Sequence, residues 1–159
     1  YMGLHKGYTT TVEAVNDFEI RGALKNIWHD AGMMVKCLYN FTDEEIENYT
    51  VGRMNCYMNK SLADSLKRLS RSPIRKLGNH ERITGTAALC LQYGISVKSF
   101  APVLYHAINY YDGNDTECVE LKNMLINEGL ESILINVCGL QKDSLLFKEF
   151  YNGYRDYSI

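Results

Sequence analysis

Residues 17–39, DFEIRGALKNIWHDAGMMVKCLY, decide the fold class of this chain. Their apolar residues recur every three or four positions, which is the spacing of one buried helix face. The positions that follow this period are Ile20, Leu24, Ile27, Trp28, Ala31, Met34, Val35 and Leu38. No stretch of the sequence shows the sustained alternation of apolar and polar residues that a half-buried strand requires. The sequence therefore predicts an all-α fold.

Helix signals continue on the C-terminal side of this stretch. Thr42 and Glu45 form a capping-box pattern, which predicts a second helix that ends near Met58. Further helices, punctuated by glycines, are predicted over residues 83–93, 97–111, 116–128, 130–138 and 143–157.

The segment before Pro73 is the hardest to assign. Asn59 and Ser61 are good N-cap residues, and the leucines that follow predict one helix. Those leucines are Leu62, Leu66 and Leu69. Pro73 lacks a backbone N–H and would clash with the preceding turn, so the helix is expected to end or kink there.

Length and composition restrict the class of protein. A chain of 159 residues is the size of one domain, and with 46% hydrophobic and 23% charged residues it is typical of a globular fold rather than a disordered one. The longest strictly apolar run has five residues, which is too short to span a membrane. The net charge of −2 implies no general attraction to nucleic acid or anionic lipid. We therefore expect a cytoplasmic protein with neither as a partner.

Cysteines and histidines give no metal or disulfide signal. The chain has five cysteines, an odd number, without a CxxC pair, which argues against a disulfide framework and a zinc site. We expect buried thiols. The four histidines have no spacing typical of ligands on one helix, so each is interpreted as an ordinary surface or core residue. The phosphate-binding patterns GxGxxG and GxxxxGK[ST] do not occur.

Basic residues concentrate in one window, residues 67–82. It holds six basic residues and one acidic residue, a net charge of +5, although the whole chain carries −2. On a single helix, Arg68, Arg71 and Arg75 would share a face, with Pro73 between the last two. Such a window is either a solvated helix face or a site for a phosphorylated or acidic small molecule, since arginine prefers bidentate contacts with those groups. A polynucleotide ranks lower because no aromatic residues are interleaved.

The same window carries a recognisable signature. The run Arg68-Leu-Ser-Arg71-Ser-Pro73-Ile-Arg75-Lys76-Leu77, followed by Glu81-Arg82-Ile83, resembles a motif of the mannitol-1-phosphate 5-dehydrogenase family. Three further segments are similar to that family: Tyr1-Met2-Gly3, Tyr93-Gly94-Ile95, and Asn59 with Leu62 and Asp64, where Lys60 replaces a proline. The resemblance covers nearly the whole chain.

The resemblance implies a division of labour. In that family an N-terminal Rossmann domain binds NAD, and a multi-helical C-terminal domain of the 6-phosphogluconate dehydrogenase type closes over the polyol. A catalytic Lys, Asn and His motif precedes the segment similar to Tyr1. Residues 1–159 are thus expected to be a single helical substrate-binding domain, a fragment of a longer enzyme. The fragment would lack the Rossmann domain and the catalytic residues, and would therefore be inactive alone. No metal is expected, and the fragment could form a homodimer.

The resemblance also assigns roles to individual residues. Arg68 and Lys76 match a basic pair that lines the polyol pocket. Arg71, Arg75 and Arg82 match positions typical of members with phosphorylated substrates, and are expected to contact the phosphate or lie next to it. Asn59 is expected to orient a loop or contact a hydroxyl.

The implied reaction interconverts mannitol 1-phosphate and fructose 6-phosphate. Two alternatives stay open at this point. The chain could belong to a related hexuronate or mannitol dehydrogenase, whose substrate ends in a carboxylate or hydroxymethyl group. It could also be a stand-alone helical binding module that shares only ancestry with the enzymes.

Overall fold

The computed structural model of the chain describes residues 1–158, and within them it forms eleven α-helices and no strand, so the all-α prediction is confirmed. The helices are α1 Met2–His5, α2 Thr11–Asn16, α3 Phe18–Tyr39, α4 Asp43–Met58, α5 Leu66–Leu69, α6 Pro73–Leu77, α7 Thr84–Gln92, α8 Ala101–Asn109, α9 Thr116–Asn127, α10 Leu130–Ser132 and α11 Leu145–Tyr157. Short 3₁₀ turns cover Lys60–Leu62 and Lys98–Phe100, and a π turn, Ile133–Val137, extends α10.

Both of the longest helices begin at a side-chain cap, of which the sequence predicted the capping box of α4 but not the Asp17 cap of α3. The Asp17 carboxylate accepts from the backbone N–H of Glu19 at 2.9 Å and of Ile20 at 3.1 Å, and so starts α3. At the start of α4, Glu45 N donates to Thr42 Oγ1 at 3.2 Å and Thr42 N donates to Glu45 Oε2 at 2.8 Å. These bonds satisfy backbone donors that have no partner within the helix.

The prediction of one helix through Leu62, Leu66 and Leu69 is wrong. The chain forms the 3₁₀ turn, then the one-turn helix α5, and then α6, which starts at Pro73. Ser72 adopts the left-handed conformation with φ of +57°, which separates the last two elements. Proline disfavours helical backbone at the preceding residue but is well suited to the first position of a new helix, so it begins α6 rather than ending a longer one.

The main hydrophobic core surrounds α8. Leu104 and Ile108 of this helix are fully buried, and α11 packs against it through Phe150. A second, smaller cluster of Ala14, Ile20 and Leu66 joins α2, α3 and α5. The segment from Leu66 to Leu77, which contains Pro73, is thus anchored at both ends, because Leu66 belongs to the smaller cluster and Leu77 to the main core.

Helix α4 is the least buried of the long helices. None of its residues is buried, and it lies against α3 through contacts such as the stacked rings of Trp28 and Tyr57. The prediction of buried thiols is therefore wrong for Cys56 on α4, and also for Cys37 on the exposed side of α3. It is confirmed for the other three cysteines, which are buried. In the part of the chain that the structure describes, no helix is long and apolar enough to cross a membrane.

Candidate functional site

The basic window folds into a sharp turn, which we call the basic bend and define as residues 67–82. It runs through α5, the turn at residues 70–72, α6 and the loop that leads to α7. The turn is closed on its inner side because Ser70 Oγ donates to the carbonyl of Leu66 at 2.6 Å. The bend replaces the continuous helix expected from the sequence, so Arg68, Arg71 and Arg75 do not share a helix face.

Two carboxylates from the start of α9 hold the bend from outside. The backbone N–H of Ser72 donates to Asp115 Oδ2 at 2.9 Å, and that of Arg75 donates to Glu117 Oε2 at 2.9 Å. These donors belong to the first turn of α6 and have no partner within the helix. We call Asp115 and Glu117 the carboxylate brace. Sequence reasoning missed the brace because more than 40 residues separate the partners.

Lys76 lies inside the bend rather than on its surface. The residue is only 7% exposed. Its ammonium donates to the carbonyl of Leu69 at 2.6 Å and to the carbonyl of Arg71, and lies 5.8 Å from the centre of the Tyr1 ring. Lys76 therefore ties together the two ends of the turn that precedes its own helix.

The pKa of Lys76 reflects competing effects. Burial lowers the pKa of the ammonium, and the positive charges of Arg82 and Arg75 lower it further. The carboxylates of Asp115 and Glu117 act in the opposite direction and raise it. Four charged groups thus lie close to Lys76: two arginines of the bend and both members of the brace.

Two other basic residues of the bend are already paired. Arg68 makes a two-pronged contact with Asp64, in which Nε donates to Oδ1 at 2.8 Å and the terminal nitrogen to Oδ2. This contact lowers the pKa of the Asp64 carboxyl. Lys67 pairs with Asp112 at 3.0 Å. Both pairs lie at the surface, so a ligand that used these cations would have to displace a carboxylate.

Arg71, Arg75 and Arg82 have exposed side chains that form no ion pair with any carboxylate of residues 1–158. Of the six predicted site residues, Arg75 and Arg82 place their charges near Lys76, whereas Arg71 contacts Lys76 through its backbone carbonyl. Arg68 is turned toward Asp64 instead. Asn59 is engaged elsewhere: its Oδ1 accepts from Ser61 N at 2.9 Å and caps the 3₁₀ turn.

The start of α7 fixes the loop that carries Arg82. Thr84 is fully buried, and its hydroxyl donates to the carbonyl of Leu77 at 2.5 Å. Gly85 lies so close to the loop that a Cβ there would be 2.9 Å from the carbonyl carbon of His80. Only glycine fits such a close approach to backbone atoms, so the loop is packed directly onto the helix.

A second polar cluster joins residues that the sequence analysis treated as unrelated. The Nδ1 atoms of His5 and His106 lie 2.7 Å apart, and His106 Nε2 lies 3.3 Å from the Tyr157 hydroxyl. Burial, and next the His5 ring, lower the pKa of His106 to about 4. No sequence pattern could reveal this pair, because the histidines lie 101 residues apart and on different helices. Within residues 1–158 no group of three or more His, Cys, Asp or Glu side chains is arranged to hold a metal ion.

The histidine pair predicts that the chain loses stability in mild acid. A histidine whose folded-state pKa is depressed takes up a proton more readily when unfolded, so stability is lost as the pH falls from about 6.5 toward 4. Because solvent reaches part of the ring, we expect a loss of about 1–2 kcal/mol from this source. Urea unfolding of the chain at several pH values between 7.5 and 4.5 measures it.

The variant His106→Gln should flatten this pH dependence, whereas His29→Gln, at an exposed position on α3, should leave it unchanged. If the free energy of unfolding changed with pH to the same extent in both variants, His106 would not be the titrating group. Glu19, which lies near the pair, also has a lowered pKa, so its own contribution to stability is lost only as the pH falls through its ordinary value of 4.5 and below. The change between pH 7.5 and about 5.5 therefore reports the histidine.

Comparison with known proteins gives one family across the chain. The family model described as mannitol dehydrogenase C-terminal domain matches residues 1–157. A mannitol-1-phosphate 5-dehydrogenase of Bacillus licheniformis is 32% identical over 148 residues, which cover 93% of this chain and 39% of the relative. Proteins of the same name from Buchnera aphidicola subsp. Schizaphis graminum and Streptococcus pneumoniae are 27% and 28% identical, over 99% and 92% of this chain and 42% and 39% of their own lengths. The chain thus spans about two fifths of the length of these relatives.

Proposed function

This chain belongs to the mannitol dehydrogenase C-terminal domain family, and on that premise we propose that it is the substrate-binding domain of an NAD-dependent mannitol-1-phosphate 5-dehydrogenase. The observation that carries the proposal is the set of three exposed arginines on the basic bend, Arg71, Arg75 and Arg82. The relatives support it, since their names specify a phosphorylated polyol.

The chemistry of the substrate explains why such a bend would be useful. Mannitol 1-phosphate and fructose 6-phosphate carry close to two negative charges at one end and react at a carbon near the other. Guanidinium groups make bidentate, charge-assisted hydrogen bonds to phosphate. When they hold the unreactive end of the substrate, the binding energy orients the reacting carbon. In this proposal the bend selects and positions the sugar phosphate.

The cofactor belongs to another part of the protein in this proposal. The sequence contains no GxGxxG motif and the described residues form no strand, so they do not fit a Rossmann-type dinucleotide site. NAD supplies hydride transfer when bound, and we assign it to an N-terminal Rossmann domain. That domain would also carry the catalytic Lys, Asn and His residues and would pack against this one. The chain alone is therefore expected to be inactive as an oxidoreductase.

Arg75→Ala in the full-length protein tests the proposal. Loss of one charge-assisted contact to the phosphate should raise the KM for fructose 6-phosphate about 30-fold, since such a contact contributes about 2 kcal/mol. The KM for NADH should change less than about twofold, because the nicotinamide cofactor binds elsewhere. Steady-state kinetics at saturating concentrations of the second substrate give both constants. Arg71→Ala is likewise expected to raise the KM for fructose 6-phosphate much more than the KM for NADH.

Lys148→Ala provides the control, because it removes an exposed charge from α11, outside the basic bend. Equal effects of Arg75→Ala on the two KM values would contradict the proposal. Turnover of fructose, fructuronate and fructose 6-phosphate by the unmodified enzyme separates the alternatives, since a hexuronate or mannitol dehydrogenase would prefer one of the first two. A stand-alone binding module would turn over none of them.

A further inference from the structure

The carboxylate brace poses a problem for a site that binds an anion. Asp115 and Glu117 place two negative charges beside three cations, Arg75, Lys76 and Arg82. A carboxylate near a bound phosphate repels it, so a site that only had to attract an anion would do better without the brace. Both carboxylates nevertheless lie at the bend, and each accepts a backbone N–H there rather than a guanidinium.

We propose that Asp115 and Glu117 are positioning residues of the phosphate site, which fix the basic bend through its backbone and offset the positive charge gathered around the buried Lys76. The inference rests on the proposed function. It adds that α9, a helix outside the basic window, determines how strongly the bend binds phosphate.

Backbone geometry is the first support for this role. Asp115 anchors Ser72, which has the unusual left-handed conformation, and Glu117 anchors Arg75 within the first turn of α6. Helix α6 has only five residues and is not stable by itself. Because the brace uses backbone donors, it fixes the place where the Arg75 side chain leaves the helix without pairing with its guanidinium.

The position of the brace around Lys76 is the second support. The ammonium faces Arg75 from its own helix, Arg82 from the following loop, and the ring and backbone nitrogen of Tyr1. Burial and the two arginines favour loss of its proton, whereas the two brace carboxylates and the two carbonyls that accept from the ammonium oppose it. Without the brace Lys76 would become neutral at a lower pH, and the bend would lose a cation.

The test uses Glu117→Gln and Asp115→Asn in the full-length protein. An amide oxygen can still accept the backbone N–H, so these variants remove charge and largely preserve shape. The KM for fructose 6-phosphate is measured from pH 7 to 10, where the phosphate stays doubly ionised. We expect the alkaline rise in KM to begin about one pH unit lower in each variant, with kcat changed less than about twofold at pH 7. In the double variant the shift should be larger.

Glu120→Gln is the matched control, since Glu120 lies on the same helix with an exposed side chain. It should keep the unmodified profile. The inference would be overturned if the pH at which the KM begins to rise were unchanged in both brace variants. It would also be overturned if the KM rose by the same factor at every pH, because that result indicates a structural role alone. If one variant does not fold, the other carries the test. Failure here is distinct from failure of the proposed function, because Arg75→Ala would still raise the KM for fructose 6-phosphate selectively.

Discussion

Replacement of Phe150 by alanine is expected to lower the free energy of unfolding of this chain by about 4 kcal/mol. Phe150 is 1% exposed and belongs to the main core, where α11 packs against α8. Removing the ring takes away its burial energy and leaves a cavity that the packed helices can only partly close. A close backbone approach limits movement there, since a Cβ at Gly153 of α11 would lie 2.9 Å from Ala101 Cβ of α8.

Urea denaturation followed by circular dichroism measures this loss as a lower midpoint with an unchanged m value. Leu145→Ala is the control on the same helix, because Leu145 is 59% exposed and its truncation should cost less than about 0.5 kcal/mol. Similar midpoints for the two variants would show that α11 is not part of the stabilising core.

Much of the fold could be predicted because helix signals are local. The 3.6-residue period of α3 and the Thr42–Glu45 capping box depend on residues that are close in sequence, and the structure confirms both. Gly94, Gly129 and Gly139, which separate predicted helices, all adopt positive φ. The helix proposed before Pro73 failed for the opposite reason. Its conformation depends on bonds to a distant helix, such as that from Ser72 to Asp115.

The candidate site could be predicted only in part. The density of basic residues around Pro73 identified the region, and the family resemblance named its members. Neither could reveal that Arg68 is already paired with Asp64, or that Lys76 points into the bend. The Asp64–Arg68 pair has the i,i+4 spacing of neighbours on a helix, a local signal that could have identified it. The direction of Lys76 depends instead on the turn that replaces the regular helix. The His5–His106 pair was likewise invisible, because it joins α1 to α8.

Replacement of Lys76 by methionine is expected to have the largest effect on the site itself. Methionine fills a similar volume but cannot donate, so the carbonyls of Leu69 and Arg71 would each lose the donor that Lys76 provides. A buried carbonyl without a donor costs about 1–3 kcal/mol, whereas burial of an uncharged side chain is easier than burial of an ammonium. We expect a net loss of about 3 kcal/mol in the free energy of unfolding.

The same substitution should affect substrate binding more than Arg75→Ala does, because it removes a cation and also loosens the turn that positions the arginines. In the full-length protein the KM for fructose 6-phosphate should rise about 100-fold, with the KM for NADH changed less than about twofold. Lys67→Met is the matched control, since Lys67 belongs to the same bend but pairs with Asp112 at the surface. If the Lys76→Met variant kept both the free energy of unfolding and the KM for fructose 6-phosphate unchanged, the brace, the main core and the smaller cluster would be sufficient to fix the bend. The buried ammonium would then contribute to neither.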